Sequence, residues 1–240
     1  MHDTNIKEKV LSYRRAGKSY SEIQQLVPIS KSTLSLWLRN IKISKSKADL
    51  LLKKKLSVLS LNHKMSRQRK TTSLRNLIDE GRLEVQEKMK NPLFLLGVAL
   101  YWAEGTKAFE QISFSNSDPE MIQCFLRWLK EIADVPSDKI KIQLHIHELH
   151  NQTEIEQYWS DITTIPSYQF TKTQIKKTSL GQRRNLLYYG TCNIRVHDIK
   201  LFRRFLGWKM GVIAQFSNIA TKQDASNRIE ALVNKYTAKR

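Results

Sequence analysis

Glu104 stands where a carboxylate is hard to keep. It closes the apolar run LFLLGVALYWAEG, residues 93–105, just before Gly105. A negative charge at a helix C-terminus meets the negative end of the helix dipole. If burial adds to that, the site needs a cation, and a divalent metal ion would resolve the conflict. Pairing with Lys107, or a side chain turned into water, would remove the need for one. A second group is HIHELH, with His145, His147, Glu148 and His150. His145 and His147 fall on one face of a strand, an acceptable spacing for zinc. The string is one residue short of H-E-x-x-H. Histidines at a strand end, or histidines touching phosphate, are the simpler reading.

Several elements must position these groups. Asn91 as N-cap and Pro92 in the first turn open the helix that Glu104 ends. That helix is apolar almost all round, so most of its faces are expected to be buried. Ala99 and Ala103 lie four apart with Gly97 nearby, a spacing that lets two helices approach closely. TKAFEQISFSN reads as a hairpin or strand pair. Asp118 caps and Pro119 begins the next helix, MIQCFLRWLKEIAD. KIKIQLHIHE alternates as a strand, TEIEQYWSDIT is a short helix, and YQFTKTQIKKTS and LLYYGTCNIRVHD alternate as strands. IKLFRRFLGWKMGVIAQF closes with a helix. Period-two alternation sets Thr171, Thr173 and Ile175 against Lys172, Gln174 and Lys176. Asn193 and Arg195 share a face, and Arg183 and Arg184 sit in the loop between strands. Amides and guanidiniums on a strand can make bidentate contacts with adenine and guanine.

The N-terminal stretch is organised differently. Ile6, Val10, Leu11 and Tyr13 mark one helix face, and Gly17 stops that helix. A second helix begins at Ser19 or Ser21, with Ser21 and Gln24 as a candidate capping box. Pro28 and Ile29 form a turn, and Ser30 caps a third helix. Its apolar side is Leu34, Trp37 and Leu38, and its other side is polar. A major groove demands small polar residues at the start of such a helix.

Charge narrows the partner. The 240 residues carry 41 Lys and Arg against 22 Asp and Glu, a formal net charge of +19. Nucleic acid is the expected partner, because each cation on a phosphate releases condensed counterions. Residues 42–90 interleave Leu50, Leu51, Leu52, Leu56, Leu59 and Leu61 with lysines and arginines. Aliphatics on one side and cations on the other suit a helix lying along a phosphate backbone. Cys124 and Cys192 form no C-x-x-C pair, so neither a zinc ribbon nor a disulfide framework is indicated, and both are expected to be buried. The start, MHDTNIKEK, has no signal-like apolar core, and no run is long enough for a membrane span. A cytoplasmic, nucleoid-associated protein is expected.

Two resemblances organise these observations. GKSYSEIQQLVPISKSTLSLWLRN resembles the helix-turn-helix of resolvases, invertases and transposases. The resemblance implies that Lys31, Ser32, Thr33, Ser35 and Arg39 face DNA. GVALYWAEG, residues 97–105, resembles the LAGLIDADG motif of homing endonucleases. Ala99 and Ala103 match its small positions, Glu104 its metal-binding acid and Gly105 its closing glycine, with Trp102 bulkier than usual. The resemblance implies a mixed αββαββα domain whose antiparallel sheet enters the major groove, with one extra helix around Tyr158 and Trp159. It also implies a homodimer through the 92–104 helix. Each copy would supply one Glu104 to magnesium ions that activate water for phosphodiester hydrolysis.

The expected organisation is therefore α+β. Residues 1–41 form a helix-turn-helix domain, 42–90 a basic helical connector, 91–218 a LAGLIDADG-like domain and 219–240 a helical tail carrying Ile229, Leu232 and Val233. The expected function is site-specific binding of double-stranded DNA. Three forms stay open: a Mg2+-dependent endonuclease, a non-catalytic transcriptional regulator, and a transposase or recombinase accessory factor. For the endonuclease, Glu104 is the metal ligand and catalytic acid. Lys107, with Lys172 or Lys176, is a candidate for stabilising the charge of the transition state. The strand residues Lys172, Gln174, Lys176, Asn193 and Arg195, with Arg183 and Arg184, are the second set of DNA contacts.

Overall fold

The computed structural model describes residues 4–107, 109–177, 188–216 and 222–237. The protein is α+β, with helices and a four-stranded mixed sheet. It divides into two compact units, residues 1–69 and 70–240, and one long helix, α4 (Lys45–Lys88), contributes to both.

The first unit holds α1 (Thr4–Arg15), α2 (Tyr20–Leu26) and α3 (Lys31–Leu38). Val10, Ile23, Val27, Ile29, Leu34 and Leu38 make its core. Gly17, at φ 91°, turns the chain out of α1 in a conformation that side chains resist. The capping box of α2 is Ser19 with Glu22, not Ser21 with Gln24. Ser19 Oγ accepts from Glu22 N at 3.2 Å, and Glu22 Oε2 accepts from Ser19 N at 2.7 Å. Ser19 has the extended backbone a cap requires, whereas Ser21 already lies inside the helix. Gln24 instead braces the following turn by donating to the Ile29 carbonyl at 3.2 Å. Ser30 caps α3 as expected, accepting from Thr33 N at 3.1 Å. In the first half of α4 the expected two-sided pattern fails. Leu50, Leu52, Leu56, Leu59 and Leu61 are all exposed. Helical spacing puts Leu52, Leu56 and Leu59 on one side and Leu50 and Leu61 on another, with lysines between.

In the second unit the end of α4 becomes a core helix through Leu74, Ile78, Gly81 and Val85. It is followed by α5 (Pro92–Glu104), β1 (Ile112–Asn116), α6 (Pro119–Glu131), β2 (Lys141–His147) and α7 (Gln152–Thr163). Then come β3 (Gln174–Lys176), β4 (Thr191–Val196), α8 (Ile199–Phe216) and α9 (Lys222–Thr237). Asn91 and Asp118 cap α5 and α6, each with proline following. In α9, Val233 and Tyr236 are buried in the main core, so the tail docks through more than Ile229 and Leu232.

The sheet order is β1-β4-β2-β3, and the sheet is mixed rather than antiparallel. β4 runs antiparallel to β1 and to β2, while β3 runs parallel to β2. The cause is α7. Inserted between β2 and β3, it acts as a crossover that returns the chain in its original direction. The expected αββαββα order also changes. TKAFEQISFSN gives one strand, β1, and the strand partner expected within the segment is replaced by an isolated bridge from Gly105, the residue before it, to Phe114. YQFTKTQIKKTS gives a single helical turn, Ser167–Gln169, and a strand of three residues.

Ile112 and Phe114 of β1, Ile142, Leu144 and Ile146 of β2, and Cys192, Ile194 and Val196 of β4 point into the core with α5, α6 and α8. Cys124 is only half-buried. The core is rich in rings: Phe114 stacks on Phe125 at 4.3 Å, and Tyr101 meets Phe205 edge-on at 4.5 Å. The small residue that permits a close helix approach is Gly97. A Cβ there would lie 2.0 Å from the indole of Trp128 on α6. Ala99 and Ala103 face outward instead, beside exposed Leu96 and Trp102, so α5 is not buried on most faces.

Candidate nucleic-acid interface

Alternation along the strands gives the sheet a second, polar face. Strand register aligns Ser113 of β1, Arg195 of β4 and Lys141 of β2 in one row. The next row is Ser115, Asn193 and Gln143. The third is Thr191, His145 and Gln174, and His147 pairs with Lys176 beyond it. No strand residue in these rows is acidic. Cations, amides and hydroxyls therefore alternate over a surface about as wide as the sheet, which is the chemistry that reads base edges and holds phosphates.

The face is structured, not merely solvated. Ser113 Oγ donates to Asn193 Oδ1 at 2.9 Å, and both residues are buried in its floor. Arg195 is half-buried, and its Nε meets no hydrogen-bond partner among the described residues. His145 Nε2 lies 3.4 Å from Gln143 Oε1. Burial, helped by Lys176 and Arg195, holds His145 below the usual imidazole range.

The sequence-derived contacts divide accordingly. Gln174, Lys176 and Arg195 share the polar face, the first two exposed. Asn193 is on the same side but belongs to the floor. Lys172 is exposed and lies outside any strand, its carbonyl accepting from Gln143 Nε2 at 3.4 Å. Thr173 is buried and donates to Glu156 at 2.7 Å. Arg183 and Arg184 lie outside the described residues. On α3, Lys31, Ser32 and Ser35 are exposed, as is Arg39 at its C-cap, while Leu34 and Leu38 are buried. Thr33 is half-buried, with its hydroxyl 2.7 Å from Ser30 Oγ. No family model, curated protein or solved structure matches the chain.

Glu104 is exposed. The expected buried carboxylate is therefore absent, and water solvates the charge at the helix end. Lys107 does not pair with it; the ammonium donates to the Ala103 carbonyl at 3.1 Å and caps α5. Among the described residues no group of three His, Cys, Asp or Glu side chains could hold a metal ion. Neither the histidines of HIHELH nor Glu104 belong to such a group among the described residues.

The residues that sequence reasoning missed are the paired acids. Glu110, after α5, accepts both Nε and Nη2 of Arg203, at 3.0 and 2.8 Å, and pairs with Lys70 at 3.2 Å. Burial pushes its pKa up, but hydrogen bonds and charge from Arg203 and Lys70 win and lower it. Glu84 on α4 accepts from Arg204 at 2.7 Å and from the indole of Trp208 at 2.8 Å. These partners are distant in sequence, so only the repeated RR of IKLFRRFLGW hinted at them.

Among the described residues, no helix is long and apolar enough to cross a membrane.

Proposed function

We propose that this chain is a site-specific double-stranded DNA-binding protein that contacts DNA through two surfaces. The first is the outer side of α3, in a helix-turn-helix role, with Lys31, Ser32, Ser35 and Arg39 turned outward. The second is the polar face of the sheet. The observation that carries the reading is the row structure of that face: Arg195 beside Lys141, and Lys176 beside His147, with amides between and no carboxylate. The uneven charge, +19 overall, supports it.

Endonuclease activity is the finer reading. It is favoured by one observation: α5 leaves Leu96, Ala99, Trp102 and Ala103 uncovered in a stripe that runs to Glu104. A second copy docked there would bring two Glu104 carboxylates together, which one chain does not do. Without that pairing, the protein is a regulator that binds and does not cut.

Selection of bound duplexes from a random pool tests the main reading. A palindromic consensus, with affinity falling steeply as salt rises, is expected. Retention of random sequence only, with no enriched site, would refute site-specific binding. Plasmid nicking in magnesium, with Glu104→Gln as control, separates nuclease from regulator. Cleavage that survives the substitution would remove Glu104 from the mechanism.

A further inference from the structure

The polar face of the sheet ends beside three tyrosines that the reading above does not use. Tyr158 of α7 is half-buried, and its ring stacks on that of Tyr189 at 3.7 Å, with the planes 7° apart. Tyr188 stands edge-on to Tyr189, with ring centres 6.0 Å apart and planes at 61°. The Tyr188 side is 78% exposed, and among the described residues its ring meets no other ring than that of Tyr189. A tyrosine presented in this way offers a flat, rigid face with little side-chain entropy to lose on contact.

The backbone that carries these rings is fixed. The indole of buried Trp159 donates to the Tyr189 carbonyl at 2.8 Å. Gly190 follows at φ 65°, and a Cβ there would lie 2.5 Å from the His145 carbonyl oxygen. Thr191 then pairs with His145 of β2, which pairs in turn with Gln174 of β3. Tyr188 is therefore three residues, at most ~11 Å of extended chain, from the third row of the polar face. The charges of Lys176 and Arg195 act on His145 in that row. One acid, Asp118, acts on the stack through Tyr158, and its carboxylate is held at the start of α6, accepting from Glu120 N at 2.8 Å. Cations that suit a backbone thus lie beside an uncharged ring that suits a base. That combination holds unpaired nucleic acid.

We propose that Tyr188, braced by the Tyr158–Tyr189 stack, is a stacking platform for an unpaired nucleobase of a nucleic acid whose backbone lies on the polar face of the sheet. The stacking chemistry rests on the tyrosines alone, and the place of the backbone rests on the DNA-binding reading above. Every base has a π-face, so the platform recognises an unpaired position and reads no sequence. A paired base is covered by its neighbours in the duplex and does not reach the ring.

The test uses the full-length chain and two labelled DNAs. One is a blunt duplex, and the other is the same duplex with a short single-stranded overhang that carries 2-aminopurine. Anisotropy measures affinity, and quenching of the 2-aminopurine emission reports stacking. Wild type is expected to prefer the overhang duplex and to quench the probe. Tyr188→Ala should weaken binding of the overhang duplex by about 5- to 150-fold, the worth of one stacked base. It should also abolish the quenching and leave the blunt duplex unaffected. Tyr188→Phe keeps both signals, because the ring stacks and the hydroxyl does not. Equal wild-type affinity for the two DNAs, with no quenching, overturns the proposal and leaves duplex binding standing. Overhang binding and quenching that need Tyr188, with no blunt-duplex binding, support the platform and remove the double-stranded reading. Binding of neither DNA overturns both. A preference that survives Tyr188→Ala overturns the platform, as does a clear fall in the melting temperature of that variant, which would make the ring structural.

Discussion

Ser113 and Asn193 join β1 to β4 through their side chains, the Ser113 hydroxyl donating to the Asn193 carbonyl oxygen at 2.9 Å. Both are buried on the polar side of the sheet. The bond fixes the Asn193 amide, and Asn193 shares a row with Ser115 and Gln143. It is the floor on which the cationic rows stand.

Ser113→Ala leaves the Asn193 oxygen buried without its donor. The expected cost is about 1–3 kcal/mol of stability. Urea denaturation measures it, and a change no larger than that of an exposed Ser→Ala control would contradict the structural role.

On α3, charge and sequence reading should separate. Lys31→Ala is expected to weaken all duplexes alike and to reduce the salt slope by ~0.9 if it meets one phosphate. Ser32→Ala or Ser35→Ala should instead relax preference at one base pair, by about 0.5–1.5 kcal/mol, the worth of one hydrogen bond. Binding to matched and mismatched sites at several salt concentrations distinguishes the two patterns.

Glu22 ties acid sensitivity to the α2 cap. The backbone N–H of Ser19, then its hydroxyl, and then Lys54 hold the Glu22 carboxyl down at about 2. A depressed folded pKa gives stability that is present above the ordinary carboxylate range and lost as pH falls toward 2. NMR titration of the Glu22 carboxyl should find its midpoint near 2. Ser19→Ala should move it up toward the ordinary value of 4.5. A midpoint already at the ordinary value in the wild type would exclude the capping box.

The crossing of α4 and α8 depends on glycine. A Cβ on Gly207 would sit 2.1 Å from the Ile78 carbonyl oxygen, and one on Gly81 2.2 Å from that of Arg204. Gly207→Ala is expected to destabilise by about 1–3 kcal/mol through overpacking, outweighing the ~1 kcal/mol that helix propensity returns. Thermal melting of the variant decides whether those backbones can separate cheaply.

Ala99 lies mid-stripe on the uncovered side of α5. Ala99→Glu should leave the folded monomer within about 0.5 kcal/mol of wild type, as exposed substitutions do, while driving any dimer to monomer. Sedimentation velocity reads the outcome. A dimer that persists unchanged would place the self-association surface elsewhere.

Local chemistry was legible in the sequence. Ser30, Asn91 and Asp118 announced helix starts because a cap acts within three residues, and the alternation of KIKIQLHIH announced β2 because a strand repeats every second residue. The α+β class and the polar side of the sheet followed from such short-range rules. Tertiary structure alone decided the rest. Whether α7 returns β3 parallel or antiparallel depends on where a crossover helix packs, and strand alternation carries no direction. The apolar run of α5 did not reveal that Gly97 faces Trp128 while Ala99 and Glu104 face solvent, because hydrophobicity on all sides leaves the buried side undetermined. The pairing of Glu110 with Arg203, and the hydrogen bond from the Tyr236 hydroxyl to the Lys107 carbonyl, join residues far apart in the chain. Charge at a distance leaves no local pattern in sequence, so only the folded chain brings those groups together.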